Sequence, residues 1–223
     1  MKRSDFQFLA VILALFLPFV FSKDLYDFYC LANADHGILL SFIKFAVLAT
    51  LGESLGVRIR QGVYNYRGFG LLPRAIVWGL LGIAIKIAFI IFSQGAGAVL
   101  AYFDVMKNDS FAYKLGLAFT ASAFMNIIFA PVMMMVHKIT DTHIVQQGGT
   151  VKGLFSPIDV PVILKKVDWQ MMWGFVLKKT IPFFWIPAHT ITFLLPATFQ
   201  VLFAAVLGIV LGVILAFAAN KSK

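Results

Sequence analysis

Trp185-Ile186-Pro187-Ala188-His189-Thr190-Ile191-Thr192-Phe193-Leu194-Leu195-Pro196 runs directly into a segment without a single charge, Ala197 to Ala219. The second part reads as a membrane span, because about 20 apolar residues at 1.5 Å each cover a hydrocarbon core of roughly 30 Å. The part in front of it is built differently. Pro182, Pro187 and Pro196 interrupt the backbone hydrogen-bond ladder, and in lipid the freed carbonyls need partners from neighbouring helices, side chains or water. His189 and Thr192 are therefore expected to face protein or a wet cavity.

The composition agrees. Of 223 residues, 61% are hydrophobic and 13% charged, which puts the chain outside the range of soluble globular domains. An integral membrane protein follows, all-α: a polytopic transmembrane bundle with five to six apolar segments and one interfacial amphipathic helix. A net charge of +9 would suit nucleic acid if it formed a stripe, but the basic residues stand at the ends of apolar runs, as the positive-inside rule requires. The partner implied is the lipid bilayer, not nucleic acid, and a homo-oligomer stays open. Cys30 is alone, so neither a disulfide framework nor a Cys-based metal cluster is expected, and no cofactor is implied.

Outward from the opening stretch, the apolar runs are Phe6 to Phe21, Ile38 to Val57, Ala75 to Tyr102 and Phe111 to Val136. The first, behind Lys2 and Arg3, reads either as a signal anchor or as a cleaved signal covering 1–22, with Val20-Phe21-Ser22 as the cleavage site; 23–223 then form a single transmembrane domain. Small residues at four-residue spacing provide close helix contacts: Gly52 and Gly56 in the second run, Ala118, Ser122, Asn126 and Ala130 in the fourth, and Ala204, Gly208, Gly212 and Ala216 in the last. Gly79, Gly82, Gly95 and Gly97 serve the third. Residues 138–168 are expected as a loop on the cytoplasm-like side, with a turn at Gly148-Gly149. Within it, Ser156 is the expected N-cap, followed by Pro157 at the first helical position. Val160 to Lys179 is expected as one interfacial helix with Trp169 and Trp173 at the headgroup level.

One side collects Lys2, Arg3, Arg58, Arg60, Arg67, Arg74, the lysines from Lys138 to Lys179 and the two C-terminal lysines, while the other has Lys23, Lys107 and Lys114 against five aspartates. Both termini then lie on the cytoplasmic side if the N-terminal segment is retained, provided that Ile181 to Pro196 and Ala197 to Ala219 form an in-and-out pair. A signal-like start without an Arg-rich transit segment points to a bacterial inner membrane.

Trp185, His189, Thr192, Phe193, Pro196 and Gln200 resemble the C-terminal pattern of the Mpv-seventeen and peroxisomal-membrane-protein family: a tryptophan, a glutamine four residues on, asparagine-phenylalanine three beyond that, then a proline and a basic residue. Here histidine replaces the glutamine, threonine the asparagine and glutamine the basic residue. Gly52-Glu53 stands where the family has glycine-aspartate, and Phe129-Ala130-Pro131 is similar to a family segment. The resemblance covers Gly37 to the C-terminus. It implies a helical bundle acting as a weakly selective channel for small solutes, or as a membrane-homeostasis factor.

A charge inside a span is costly, about 2.5 to 3.5 kcal/mol at the centre on insertion scales, and marks a bundle interior or cavity. Glu53 is the leading candidate, either functional or paired with Arg58, Lys86 or a helix dipole. Lys86 is read as pore-lining or buried in a pair, Lys44 as snorkelling to the interface, and Asn126 as an interhelical hydrogen-bonding group. His189 either satisfies broken backbone or acts as a gate. No metal site is expected, since His36, His137, His143 and His189 are dispersed, with no pair at helical spacing and no carboxylate beside them. No nucleophile elbow, phosphate loop or carboxylate pair marks an enzyme. The reading is a weakly selective pore for small solutes or metabolites, lined or braced by Glu53, Lys86, Asn126, His189 and Thr192. The alternatives are a secondary transporter proton-coupled through Glu53, and a non-transporting scaffold or homeostasis factor.

Overall fold

Prolines decide where the helices change character. In the computed structural model, which describes residues 2–105 and 108–221 and the side chains of all but 214–221 among them, every described segment of regular structure is helical. α1 (Arg3–Phe21), α2 (Lys23–Asp35), α3 (Gly37–Gln61) and α4 (Leu71–Tyr102) are followed by α5 (Phe111–Phe124), a π-helical turn π1 (Met125–Phe129) and α6 (Ala130–Gln146). Three short helices come next, α7 (Val151–Leu154), α8 (Val160–Lys165) and α9 (Trp169–Met171); then π2 (Met172–Trp185), α10 (Ile186–Leu194) and α11 (Ala197–Lys221). Both π segments fall near prolines: Pro131 stands two residues beyond π1, and Pro182 lies inside π2 with Pro187 two residues beyond it. Local widening is one way a membrane helix rehouses the carbonyls that proline frees.

Four helical runs are long and apolar enough to cross a membrane, α1, α3, α4 and the continuous Phe111–Gln146, and the protein is an integral membrane protein with an all-α bundle fold. Successive runs reverse direction. The start of α1, the end of α3, the start of α4 and the end of α6 share one end: Asp5 pairs with Arg58, Lys2 Nζ reaches Gly62 O at 3.4 Å, and Gly70 packs against Gly149. This is the basic end. At the other end lies α2, whose Tyr29 hydroxyl donates to Thr198 O at the start of α11 (3.4 Å). Burial pushes the Tyr29 phenol up to about 12.

The core forms where α3 meets α4 and α11. Phe45, Leu48, Ile85, Phe89, Met125, Val201 and Ala205 are buried in one cluster, with Phe92 and Phe193 packed against it. Small residues make this possible. A Cβ on Gly82 would stand 2.6 Å from both Ser41 O and Phe45 Cβ, and one on Gly52 would stand 2.9 Å from Ile209 Cγ1.

Several expectations are corrected. Gly56, Gly95 and Gly208 are not helix-packing glycines: a Cβ on Gly56 would meet only its own helix's Arg60, and Gly95 and Gly208 face open space. The stretch 138–168 is largely helical, because α6 continues through Lys138 to Gln146. Asp159, not Ser156, caps the following helix, accepting from Val162 N at 3.1 Å with Pro161 in the first turn. Ser156 instead donates to Gly153 O at 2.6 Å. Val160 to Lys179 is not one helix either. Asp168 accepts from Met171 N at 2.9 Å and starts a new one, a local side-chain bond that competes with helix continuation. From Trp169 the chain stays helical to Leu194, so the in-and-out pair with α11 no longer depends on a short Ile181 to Pro196 segment. Lys107, Lys223 and the side chains of Ala216 and Lys221 lie outside the described residues.

Candidate functional site

Glycines bring the polar centre together. Gly70 and Gly149 both have positive φ (75° and 70°), a region costly for side chains with a Cβ. A Cβ on Gly149 would lie 2.7 Å from Gly68 O and Gly70 N. This contact sets the start of α4 beside the end of α6, so that Arg74 and Trp78 face His137 and Asp141 with Glu53 of α3 between them.

The resulting network is closed upon itself. Arg74, 6% exposed, bonds Glu53 Oε2 through Nη1 and ion-pairs with Asp141 Oδ1 through the same nitrogen, while its Nε donates to Phe69 O at 2.7 Å. The guanidinium carbon stands 4.2 Å from the centroid of the Phe69 ring, a favourable cation–π placement. Glu53 Oε1 accepts from Trp78 Nε1 at 2.9 Å and meets His137 Nε2 at 2.8 Å. Two carboxylates and one guanidinium leave the cluster one negative charge when His137 is neutral. Asp141 Oδ1 has the ion pair without hydrogen-bond geometry. Among the described residues no group of three His, Cys, Asp or Glu is placed to hold a metal ion.

A cavity of about 510 Å³ opens beside this network, inside the 300–1,000 Å³ range of small-molecule sites. At the basic end Arg60, Gln61, Lys138 and Asp141 line it, and further in Met133, Gly208, Asn126 and His189 do. Phe45, Ile85 and Met125 also line it and belong to the buried core, together with Phe89 and Val201. α11 packs on α3 and π2 on π1, and Gly208 on α11 and Gly174 on π2 both face open space.

Of the expected lining residues, Glu53, Asn126 and His189 border the cavity, and Lys86 and Thr192 do not. Lys86 stands at the opposite end, its Cε 3.6 Å from where a Cβ on Gly37 would be. Thr192 is fully buried and donates to Ala188 O at 3.0 Å, satisfying helix backbone. His189, 6% exposed, lies stacked on Trp185 with ring centroids 5.2 Å apart, with Thr192 Oγ1 3.4 Å from its Nδ1. Asn126 does not bridge helices: its Nδ2 donates to Ser122 O at 2.8 Å in its own helix. Ser122 is the bridging group, donating to Ile186 O at 2.7 Å, where Thr190 Oγ1 also donates at 2.8 Å. Lys44 bonds Asn33 Oδ1 and lies 4.8 Å from the Tyr29 ring centroid, reaching toward α2.

Glu53 pairs with neither Arg58 nor Lys86. Arg58 holds Asp5 at 2.7 Å, and Asp5 also accepts from Tyr64 at 3.1 Å. Burial, and then that carboxylate, hold the Tyr64 phenol above its usual range. The expectation that the histidines have no carboxylate beside them is overturned by His137. Asp141 stands one turn beyond it, and Glu53 meets its ring. Two i, i+4 pairs, Arg74 with Trp78 and His137 with Asp141, were the available signal. The chain matches no protein-family model, no curated protein and no solved structure.

Proposed function

We propose that this integral membrane protein is a non-enzymatic transport protein of the carrier type, with the cavity as its substrate chamber open to the basic end. The observation that carries this reading is the cavity's lining: about 510 Å³, bordered by Arg60 and Lys138 at the basic end and by the core residues Phe45, Ile85 and Met125 further in. A carrier alternates between states open to one side, whereas an open pore needs a continuous wet path. The proline-interrupted run through π2 and α10 borders the chamber, as broken helices border substrate sites in secondary transporters. The Glu53–Arg74–Asp141–His137 network ties α3, α4 and α6 at the mouth, and its release would let that end close. The resemblance to the Mpv-seventeen and peroxisomal-membrane-protein family favours a channel variant, in which the apolar stop is a gate.

The test uses single cysteines in a Cys30→Ser background, reconstituted in vesicles and labelled with an impermeant thiol reagent from either side. Met133→Cys, in the chamber, labels from the basic side only. Adding Glu53→Gln loosens the latch, so Met133→Cys labelling falls and Phe92→Cys labelling from the opposite side rises. Steady ohmic current through planar bilayers would replace the carrier by the channel. Met133→Cys labelling from neither side would leave a scaffold.

A further inference from the structure

The cavity's polar groups divide into those already engaged and those left over. Both Glu53 oxygens are occupied by Arg74, Trp78 and His137, and Arg74 is committed to two carboxylates and a carbonyl. Asn126 is engaged with Ser122. The Glu53 carboxylate therefore offers no open position to a cationic ligand, and Asp141 is held by Arg74 through Oδ1 alone. Arg60 and Lys138 differ: both line the mouth, from α3 and α6, and neither side chain has an acidic partner or a hydrogen bond among the described residues. Arg60 folds back over Gly56, its Nη1 3.4 Å from where a Cβ there would stand. Below these two cations the wall turns apolar through Met133, Val176, Ala205 and Gly208.

Two uncompensated cations over an apolar shaft match one ligand shape. We propose that the cavity binds an acyl chain carrying an anionic head group, the head held by Arg60 and Lys138 and the chain lying along the shaft toward His189. The proposal rests on the carrier reading in that it names that chamber's substrate class. The bare face of Gly208 is then room for the chain.

Two tryptophans, Trp78 and Trp185, line the cavity, while Trp169 and Trp173 stand exposed. The full-length protein carrying Trp169→Phe and Trp173→Phe, in nanodiscs of zwitterionic lipid, therefore reports the cavity by fluorescence. The probes are dibromostearate, dibromostearyl alcohol and a dibrominated phosphatidylglycerol. Dibromostearate is expected to quench saturably and more strongly than the alcohol. The pair Arg60→Gln/Lys138→Gln weakens this about 30-fold, from two head-group contacts of ordinary juxtamembrane strength. Gly208→Leu, whose side chain enters open space, abolishes it, and Lys178→Gln/Lys179→Gln, at exposed lysines off the cavity, leaves it unchanged. Stronger quenching by the phosphatidylglycerol upholds the site with the bilayer as its source; stronger quenching by the stearate upholds it with the free carboxylate. Equal quenching by the alcohol, or parent-like binding by Arg60→Gln/Lys138→Gln, overturns the proposal. Saturable binding without stearate movement into dye-loaded vesicles keeps the site and removes the carrier reading. Solute counterflow without quenching does the reverse.

Discussion

Arg74→Met tests the network at its centre. The side chain is buried and bonds both Glu53 and Asp141, so its removal leaves two carboxylates without their guanidinium. Breaking a buried ion pair from one side costs about 3–5 kcal/mol, because the partner stays behind uncompensated. Methionine keeps much of the volume, so the loss reports charge more than packing. Glu53→Gln acts oppositely: it leaves Arg74 paired with Asp141, for a cost of about 1–2 kcal/mol from weakened hydrogen bonds. The double variant should then cost less than the sum, since Glu53→Gln in the Arg74→Met background removes one of the two stranded charges. Reversible unfolding against SDS mole fraction, followed by circular dichroism at constant pH, measures all four corners of the cycle. Equal costs for the two single variants, or strict additivity, would refute the account of a closed network centred on Arg74.

Gly149→Ala should destabilise by about 2 kcal/mol or more, since it adds both a positive-φ penalty and a backbone clash at Gly68 and Gly70; the same unfolding measurement checks it, and parental stability would count against the role given to this contact. Gly82→Ala meets Ser41 O and Phe45 at 2.6 Å and should cost about 1–3 kcal/mol, whereas Gly95→Ala, facing open space mid-helix, should gain about 0.5–1 kcal/mol; opposite signs in one assay are the expected outcome. Trp185→Phe removes a buried indole N–H that has no acceptor while retaining an aromatic ring against His189, so thermal unfolding in detergent should show no loss of stability.

The bundle was legible because its signals are local. Apolar runs of span length and the Gly148-Gly149 turn each mean the same thing wherever the chain goes. The site was legible only in part. Glu53 stands out as a charge inside an apolar run, but its partners come from residues 74, 78 and 137, brought near by a glycine contact between two loops that no periodicity encodes. Arg74 was counted among the basic residues flanking a span. Asp141 falls within 138–168, which the sequence reads as a loop, because the apolar pattern ends near Val136 while the helix continues ten residues further. Backbone hydrogen bonding carries a helix beyond the membrane, and hydropathy does not see that part.

Gly208 shows how one helix can serve packing and cavity together. The small residues of α11 at four-residue spacing predict a single packing stripe, yet α11 uses its faces unequally: Ile209 fits against Gly52, and Ala204 and Ala205 are buried in the core, while Gly208 faces open space. A larger residue at 208 would cost the core nothing and would fill the cavity. A substitution there therefore separates two roles that the stripe alone makes look like one. If Gly208→Leu lowers stability by the roughly 1–3 kcal/mol typical of overpacking, α11 is closed against its neighbours and the chamber reading fails. Unchanged stability with lost Met133→Cys labelling means that the space is real and reachable from the basic end.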